Sequence, residues 1–521
     1  MRGGPSLSRM AQPRPVNEAL ARPYSHPAPY DGWNARGNLA NMKPTEALLM
    51  DNVVPGVQNV TLRNGCQDWK TGAAANVHSF LAWNGPTAAK LFAATNGGIY
   101  NVTLTGTWPT AETPTVTNGY WVGVMTATSG GNFLVAVNGV DAPIGYDGTT
   151  WTAPAITGPA DITKLSYVAL HKHRLWFIEK NSTNLWYLGT DAITGAASKF
   201  PVGPIFTKGG SIVALGTWTL DGGNGSDDYF VIVTSNGQIA VYAGTDPSAS
   251  TTWALIGVYN TARPIGAKPL LKYGGDLLYL SAVGIIPLST LVQSTVVDRT
   301  KTISFNIDGA FLDAIASYSA NIGWDMVLHT STNALLVNIP VQTDTSAVQF
   351  VMNTTTKAWC RFTNWNAACW AEFGGNIYFG TGTKVVKAWV GSTDFGQAIV
   401  GNVAQAYSRY GNTIQSKVNL VRPNFGFTGP TQVNMAFDSD FKAFNGQTIF
   451  TYTPVGTGAI WDTGLWNNGT WDSGASLWDP KWTTVPGDLG YLHSFRLQII
   501  ASSGNFIWTS TDMALASAGI L

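Results

Sequence analysis

The sequence predicts an all-β protein: a β-propeller of six or seven blades, an additional C-terminal β-rich domain and an extended N-terminal arm. Three observations carry this. Only five Glu occur in 521 residues (Glu18, Glu46, Glu112, Glu179 and Glu372), so the Glu–Lys pairs that support exposed helices are scarcely available. The chain is instead rich in Gly (57 residues) and in aromatics (21 Trp, 18 Tyr and 22 Phe), which turn tightly or pack on pleated surfaces. Lastly, a loose repeat of short apolar strands and Gly or Asn turns runs from residue 77 to 395.

Taken in order, residues 1–30 hold six prolines and four arginines (Arg2, Arg9, Arg14 and Arg22) against one acid. Proline at this density removes backbone donors and favours extended chain, so a flexible or extended arm is expected, either a plain tail or a docking arm whose arginines lie along a partner's acidic groove. Residues 31–76 form a linker segment in which Pro44 opens a short helix that ends before Pro55, with Leu48 and Leu49 inward. In the repeat, Ile99, Ile144, Trp186, Val241, Ile286, Leu336 and Val386 mark successive units 42 to 55 residues apart. Four short antiparallel strands with turns fill about 40 to 50 residues, one propeller blade. Blades are covered on both faces by neighbours, which accounts for a charged fraction of only 12%. A pair of β-sandwiches is the rival architecture.

After residue 396 the repeat stops. Residues 418–421, 433–437 and 449–452 alternate as half-buried strands, and 493–501 with 505–509 read as a closing strand pair. Between them Trp461, Trp466, Trp471, Trp478 and Trp482 are expected to form a packed tip, with Gly464, Gly469 and Gly474 supplying turns.

The formal net charge is zero, which argues against simple wrapping of DNA or an anionic membrane. No apolar run reaches the roughly 18 residues that span a bilayer, and residues 1–33 lack a hydrophobic signal core, so synthesis in the cytoplasm is expected. Three cysteines, Cys66, Cys360 and Cys369, fit reduced thiols better than a disulfide framework, with Cys360 and Cys369 facing one another across a hairpin.

Two further stretches carry a resemblance. The first runs Gly32-Trp33-Asn34-Ala35-Arg36, Met42-Lys43-Pro44-Thr45, Asp51-Asn52, Pro55-Gly56 and Leu62-Arg63-Asn64-Gly65. The second runs from Gln349 through Lys357-Ala358-Trp359-Cys360-Arg361-Phe362 to Asn364-Trp365-Asn366-Ala367, then Gly374 to Gly380. With the Trp-rich segment and Leu489-Gly490-Tyr491, these resemble the tail nozzle, or packaged-DNA stabilisation, proteins of short-tailed bacteriophages. The resemblance implies a virion protein made in the host bacterial cytoplasm. It implies a homo-oligomeric ring, usually a hexamer, with a propeller in each subunit and a distal β-rich tip. The ring docks beneath the portal and its head–tail adaptor and carries a tail fibre or spike. It also extends a channel for double-stranded DNA, held without sequence specificity, retaining the genome and allowing its ejection. Neutral or mildly acidic walls suit such a channel, because basic walls trap the phosphate backbone. The chain has no room for the inserted domains of larger nozzle proteins.

No catalytic residue, metal site or cofactor is expected. His171 and His173 flank Lys172 on a presumed strand, without further ligands at zinc-site spacing. Gly222-Gly223-Asn224-Gly225-Ser226-Asp227-Asp228 matches one copy of a calcium-binding nonapeptide, but such sites need stacked repeats, and a Gly-rich hairpin loop is the preferred reading. Nucleophile-elbow, Walker and His-Glu-x-x-His patterns do not occur. The alternative class is a glycan-binding or glycan-cleaving propeller, motivated by Asp462-Thr463-Gly464 and Asp472-Ser473-Gly474, which approach the Asp-box turns of sialidases.

Overall fold

The computed structural model describes residues 22–113, 115–221, 226–293, 298–411, 413–452, 477–478 and 481–517. Seven small antiparallel strand groups follow one another, opening with Val77–Asn84, Val122–Thr128, Leu165–His171, Ile212–Asp221, Leu270–Tyr273, Asp325–His329 and Cys369–Phe373, the last two continuing into strands outside the repeat. Each opening strand touches the next, and Cys369–Phe373 touches Val77–Asn84, so the blades close into a seven-membered ring. The expected β-propeller is present, with seven blades. The repeat marks fall one per blade, on the third strand in every blade except the sixth, where Leu336 lies on the second.

Apolar side chains fill the wedges between blades. Leu81, Trp83 and Phe92 of blade one meet Trp121, Leu134 and Tyr146 of blade two. Trp176 of blade three stacks on Trp253 of blade four at 5.6 Å between ring centroids. Because each blade buries both faces against neighbours, the repeat needs few charges.

The ring closes with a strand from outside the repeat. Cys66–Thr71 pairs antiparallel with Lys384–Ala388 as the outermost strand of blade seven. The propeller therefore begins at residue 66 rather than 77.

The remaining strands form a second unit of two packed sheets. One contains Phe506–Ser517 flanked by Ser416–Phe427 on one side and by Arg22–Pro27 and Val60–Leu62 on the other. The second runs Glu46–Asp51, Gln397–Gln405, His493–Ala501, Thr431–Ser439 and Thr448–Tyr452. Their inner faces meet through contacts such as Phe495 to Trp508, 5.7 Å between centroids. The C-terminal β domain is thus a sandwich completed by N-terminal residues 22–62.

Several expectations are corrected here. The segment expected to hold a short helix is the strand Glu46–Asp51, because the free edge of Gln397–Gln405 offers ladder hydrogen bonds that outweigh local propensity. Leu48 and Leu49 are only half-buried beside a β-bulge, while Ala47 and Met50 point inward. The last residues of the expected arm form a strand paired in register with Arg22 opposite Leu515. Arg2, Arg9 and Arg14 lie outside the described residues. The closing strands do not pair with each other: His493–Ala501 and Phe506–Ser517 enter opposite sheets, since each carries one inward apolar face.

The docked N-terminal strand carries an ionisation switch. His26 is fully buried between Tyr24 and Tyr410, and burial lowers its pKa from 6.5 to about 4, an effect that the Pro44 carbonyl nearby offsets only in part. Within that window the unfolded chain binds a proton that the folded chain refuses. The contribution of the neutral ring is full above pH 6.5 and is lost as pH falls towards 4. It amounts to on the order of 3 kcal/mol. Thermal melts across this range should show falling stability on acidification, and His26→Phe should flatten the curve by its share.

Candidate functional site

The residues that join the propeller to the sandwich converge on one buried guanidinium. Arg63 precedes the ring-closing strand, and Asp394 lies where the chain leaves the propeller. The Arg63 side chain is fully buried, and its Nη1 and Nη2 donate to Asp394 Oδ1 at 2.9 Å and Oδ2 at 2.6 Å. Nε donates to Asn52 Oδ1 at 2.9 Å, while Nη1 and Nη2 also reach the carbonyls of Asn64 at 2.9 Å and Thr363 at 3.1 Å. All five N–H donors are therefore satisfied, the condition under which a buried guanidinium is tolerated. The Trp365 ring lies 4.4 Å from the guanidinium carbon, and Trp365 Nε1 donates to Asp394 Oδ1 at 3.1 Å.

Around this node the two resemblance-bearing stretches interlock. Asn52, in a left-handed conformation with φ of 57°, donates from Nδ2 to Thr363 Oγ1 at 2.8 Å and to the Val400 carbonyl at 2.9 Å. Arg361 forms a bidentate pair with Asp51 at 2.7 and 2.8 Å. Trp33 packs edge-on against Phe350 at 5.1 Å and donates from Nε1 to the Leu48 carbonyl at 3.0 Å. Gly32 has φ of +84°, and a Cβ there would stand 2.6 Å from the Trp359 carbonyl oxygen. Only glycine lets these backbones approach.

A second feature is a cavity of about 300 Å³ at one end of the propeller axis, where the inner strands of blades one, two, six and seven begin. His78, Tyr120, Lys268, Trp324, Asp325 and Cys369 line it. Asp344 anchors one wall, accepting from Tyr120 Oη at 3.2 Å with His78 Nδ1 at 3.4 Å. Burial raises the Asp325 carboxyl above its ordinary range and pushes the Cys369 thiol up to about 12. At neutral pH this thiol is protonated and a poor nucleophile.

The expected tip residues are only partly placed. Trp461, Trp466 and Trp471 lie outside the described residues; Trp478 contributes backbone pairing to Gly426. Trp482 is 41% exposed, under the Arg422 guanidinium at 5.3 Å, rather than packed inside. The Asp-box-like turns also fall outside. His171 and His173 do not share a strand face: Lys172 and His173 take φ of 46° and 60° in a two-residue hairpin turn. His171 is buried beside Thr217, whereas His173 is exposed near Asp191. Residues 222–225 are not described, but the flanking strands Ile212–Asp221 and Ser226–Thr234 pair as the expected hairpin. Cys66, Cys360 and Cys369 are free and buried; Cys360 and Cys369 sit on different blades, because the chain crosses from blade six to seven between them. Among the described residues no group of three or more His, Cys, Asp or Glu is placed to hold a metal ion. Nor, among them, is any helix long and apolar enough to cross a membrane.

Reasoning from sequence missed Asp394 and the pairing of Arg63 with it. The only available signal was that Arg63, Asn52, Arg361 and Trp365 all fall within the two stretches singled out by resemblance.

No family model matches the chain, and no curated protein matches it. Among solved structures, the chain is similar to one described as "YCF48 bound to D1 peptide" at 12% identity and a TM-score of 0.38, over 63% of this chain and 96% of that one. The fold described above rests on strand pairing alone.

The node makes a direct prediction. Asp394→Ala leaves Arg63 buried without its carboxylate and should cost about 3 to 5 kcal/mol, read by equilibrium denaturation. The thiols make another: the three cysteines should resist a disulfide exchange reagent in the native protein and all react in denaturant.

Proposed function

We propose that this chain is a structural virion protein, the tail nozzle subunit of a short-tailed bacteriophage. In this reading it forms a ring below portal and adaptor, extends the DNA channel, retains packaged DNA and allows its ejection. The observation that carries the reading is the convergence just described. The two stretches that resemble nozzle proteins lie some 300 residues apart, and they meet in a single buried junction that fixes the propeller to the sandwich. Residues singled out by resemblance thus serve architecture. A rigid two-part subunit is what a ring under internal pressure requires, since hinge motion at each subunit would open the wall.

The expected partners follow: further copies of the chain, the head–tail adaptor, a fibre or spike, and double-stranded DNA without sequence specificity. A composition of 30 basic against 30 acidic residues supports passage rather than capture of DNA, because tight binding requires a surplus of neutralising cations.

Light scattering and electron microscopy of the purified protein, alone and with its adaptor, should show a closed ring, expected to be hexameric. A chain that stays monomeric in both conditions and is missing from virions would overturn the proposal.

A further inference from the structure

The outer face of the second sandwich sheet carries a row of amides. Asn402, Gln498 and Asn434 stand opposite one another on Gln397–Gln405, His493–Ala501 and Thr431–Ser439. Gln432 Nε2 donates to Asn434 Oδ1 at 3.0 Å, Asn434 Nδ2 to Gln498 Oε1 at 2.8 Å, and Gln498 Nε2 to Asn402 Oδ1 at 3.0 Å. Every bond points the same way, so the amides polarise one another and hold each other's orientation. The chain leaves Asn402 Nδ2 as a donor at one end and Gln432 Oε1 as an acceptor at the other. Each amide between them retains a spare N–H and a spare lone pair.

Asn402, Gln498 and Asn434 of this row line a groove of about 350 Å³, within the usual range for ligand sites, and Gln432 lies outside it. Leu49 lies on one side, and the loop bearing Phe444, Asn445 and Gln447 lies on the other. Arg496 fixes that loop by donating to the Phe444 carbonyl, while its guanidinium lies 3.6 Å from Asp438. Among the described residues that line the groove, the one cation is thereby committed and none is a carboxylate.

A phosphate or carboxylate ligand would need a free cation, and a cationic ligand would need an acid. A peptide that binds by adding a strand needs a free edge, whereas this row sits on a sheet face whose central strands are already paired. What fits is an uncharged molecule with alternating donors and acceptors and some apolar surface. We propose that this groove is a binding site for a neutral saccharide, with amides meeting its hydroxyls and Leu49 and Phe444 bounding its apolar faces. The proposal stands independently of the ring reading.

Saturation-transfer NMR on the full-length chain tests it, with a panel of neutral glucose, mannose and N-acetylglucosamine oligosaccharides in α and β linkages, and unstructured peptides as the comparison arm. At least one oligosaccharide should receive saturation. Its affinity should fall about tenfold in Asn402→Asp, which removes the terminal donor, and similarly in Gln498→Glu, with both variants retaining the wild-type circular dichroism spectrum. If Gln498→Glu fails to fold, Asn402→Asp alone decides. Silence across the oligosaccharide panel, transfer to peptides only, or undiminished binding in folded Asn402→Asp would each overturn the proposal.

Discussion

The joining of propeller to sandwich depends on one buried charge being fully satisfied. Arg63 is withdrawn from water, and its solvation is replaced by Asp394, Asn52 and two backbone carbonyls. Removing any one of these leaves a donor unpaired in a low-dielectric interior, so the node forms as a unit. Its partners come from three places: the N-terminal segment, the crossing between blades six and seven, and the exit from the propeller. A single side chain therefore holds in register the entry strand, the last two blades and the sandwich.

The propeller obeys a different constraint. Its blades cohere through repeated apolar wedges, in which no single pair is indispensable. The wedge between blades one and two is filled by Leu81, Trp83, Phe92 and Leu134, and that between blades three and four by Trp176, Ile178, Phe230 and Trp253. The ring tolerates that variation because apolar packing is non-directional, provided volume is conserved. Directional chemistry is concentrated where the ring must be closed and attached. Hence the bidentate pairs Arg63–Asp394 and Arg361–Asp51 both lie at this junction.

The legibility of the sequence follows the same division. Blades were readable because strand, turn and aromatic recur at short range, and one apolar mark fell in each. The swap of Glu46–Asp51 from helix to strand was not, because its partner edge lies some 350 residues away and local propensity says nothing about it. The same holds for Cys66–Thr71, which reads as linker until Lys384–Ala388 is seen to lack an outer neighbour. Arg63 and Asp394 are 331 residues apart, so their pairing has no local signature. The amide row was equally hidden: Asn402, Asn434 and Gln498 are unremarkable polar residues until strand order aligns them.

The interleaving of chain ends has a consequence for how the protein is made. Residues 22–62 are synthesised before the propeller, yet their partner strand Phe506–Ser517 follows it. The closing strand Cys66–Thr71 likewise waits for Lys384–Ala388. The sandwich cannot be completed until Phe506–Ser517 is made, so the strand Arg22–Pro27 waits unpaired while the whole propeller is synthesised. Such long-range pairing is slow and leaves strand edges exposed, which makes this a natural client for chaperones that hold early strands apart. A chain truncated before Phe506 would lack both a complete sandwich and the anchor for Arg22–Pro27.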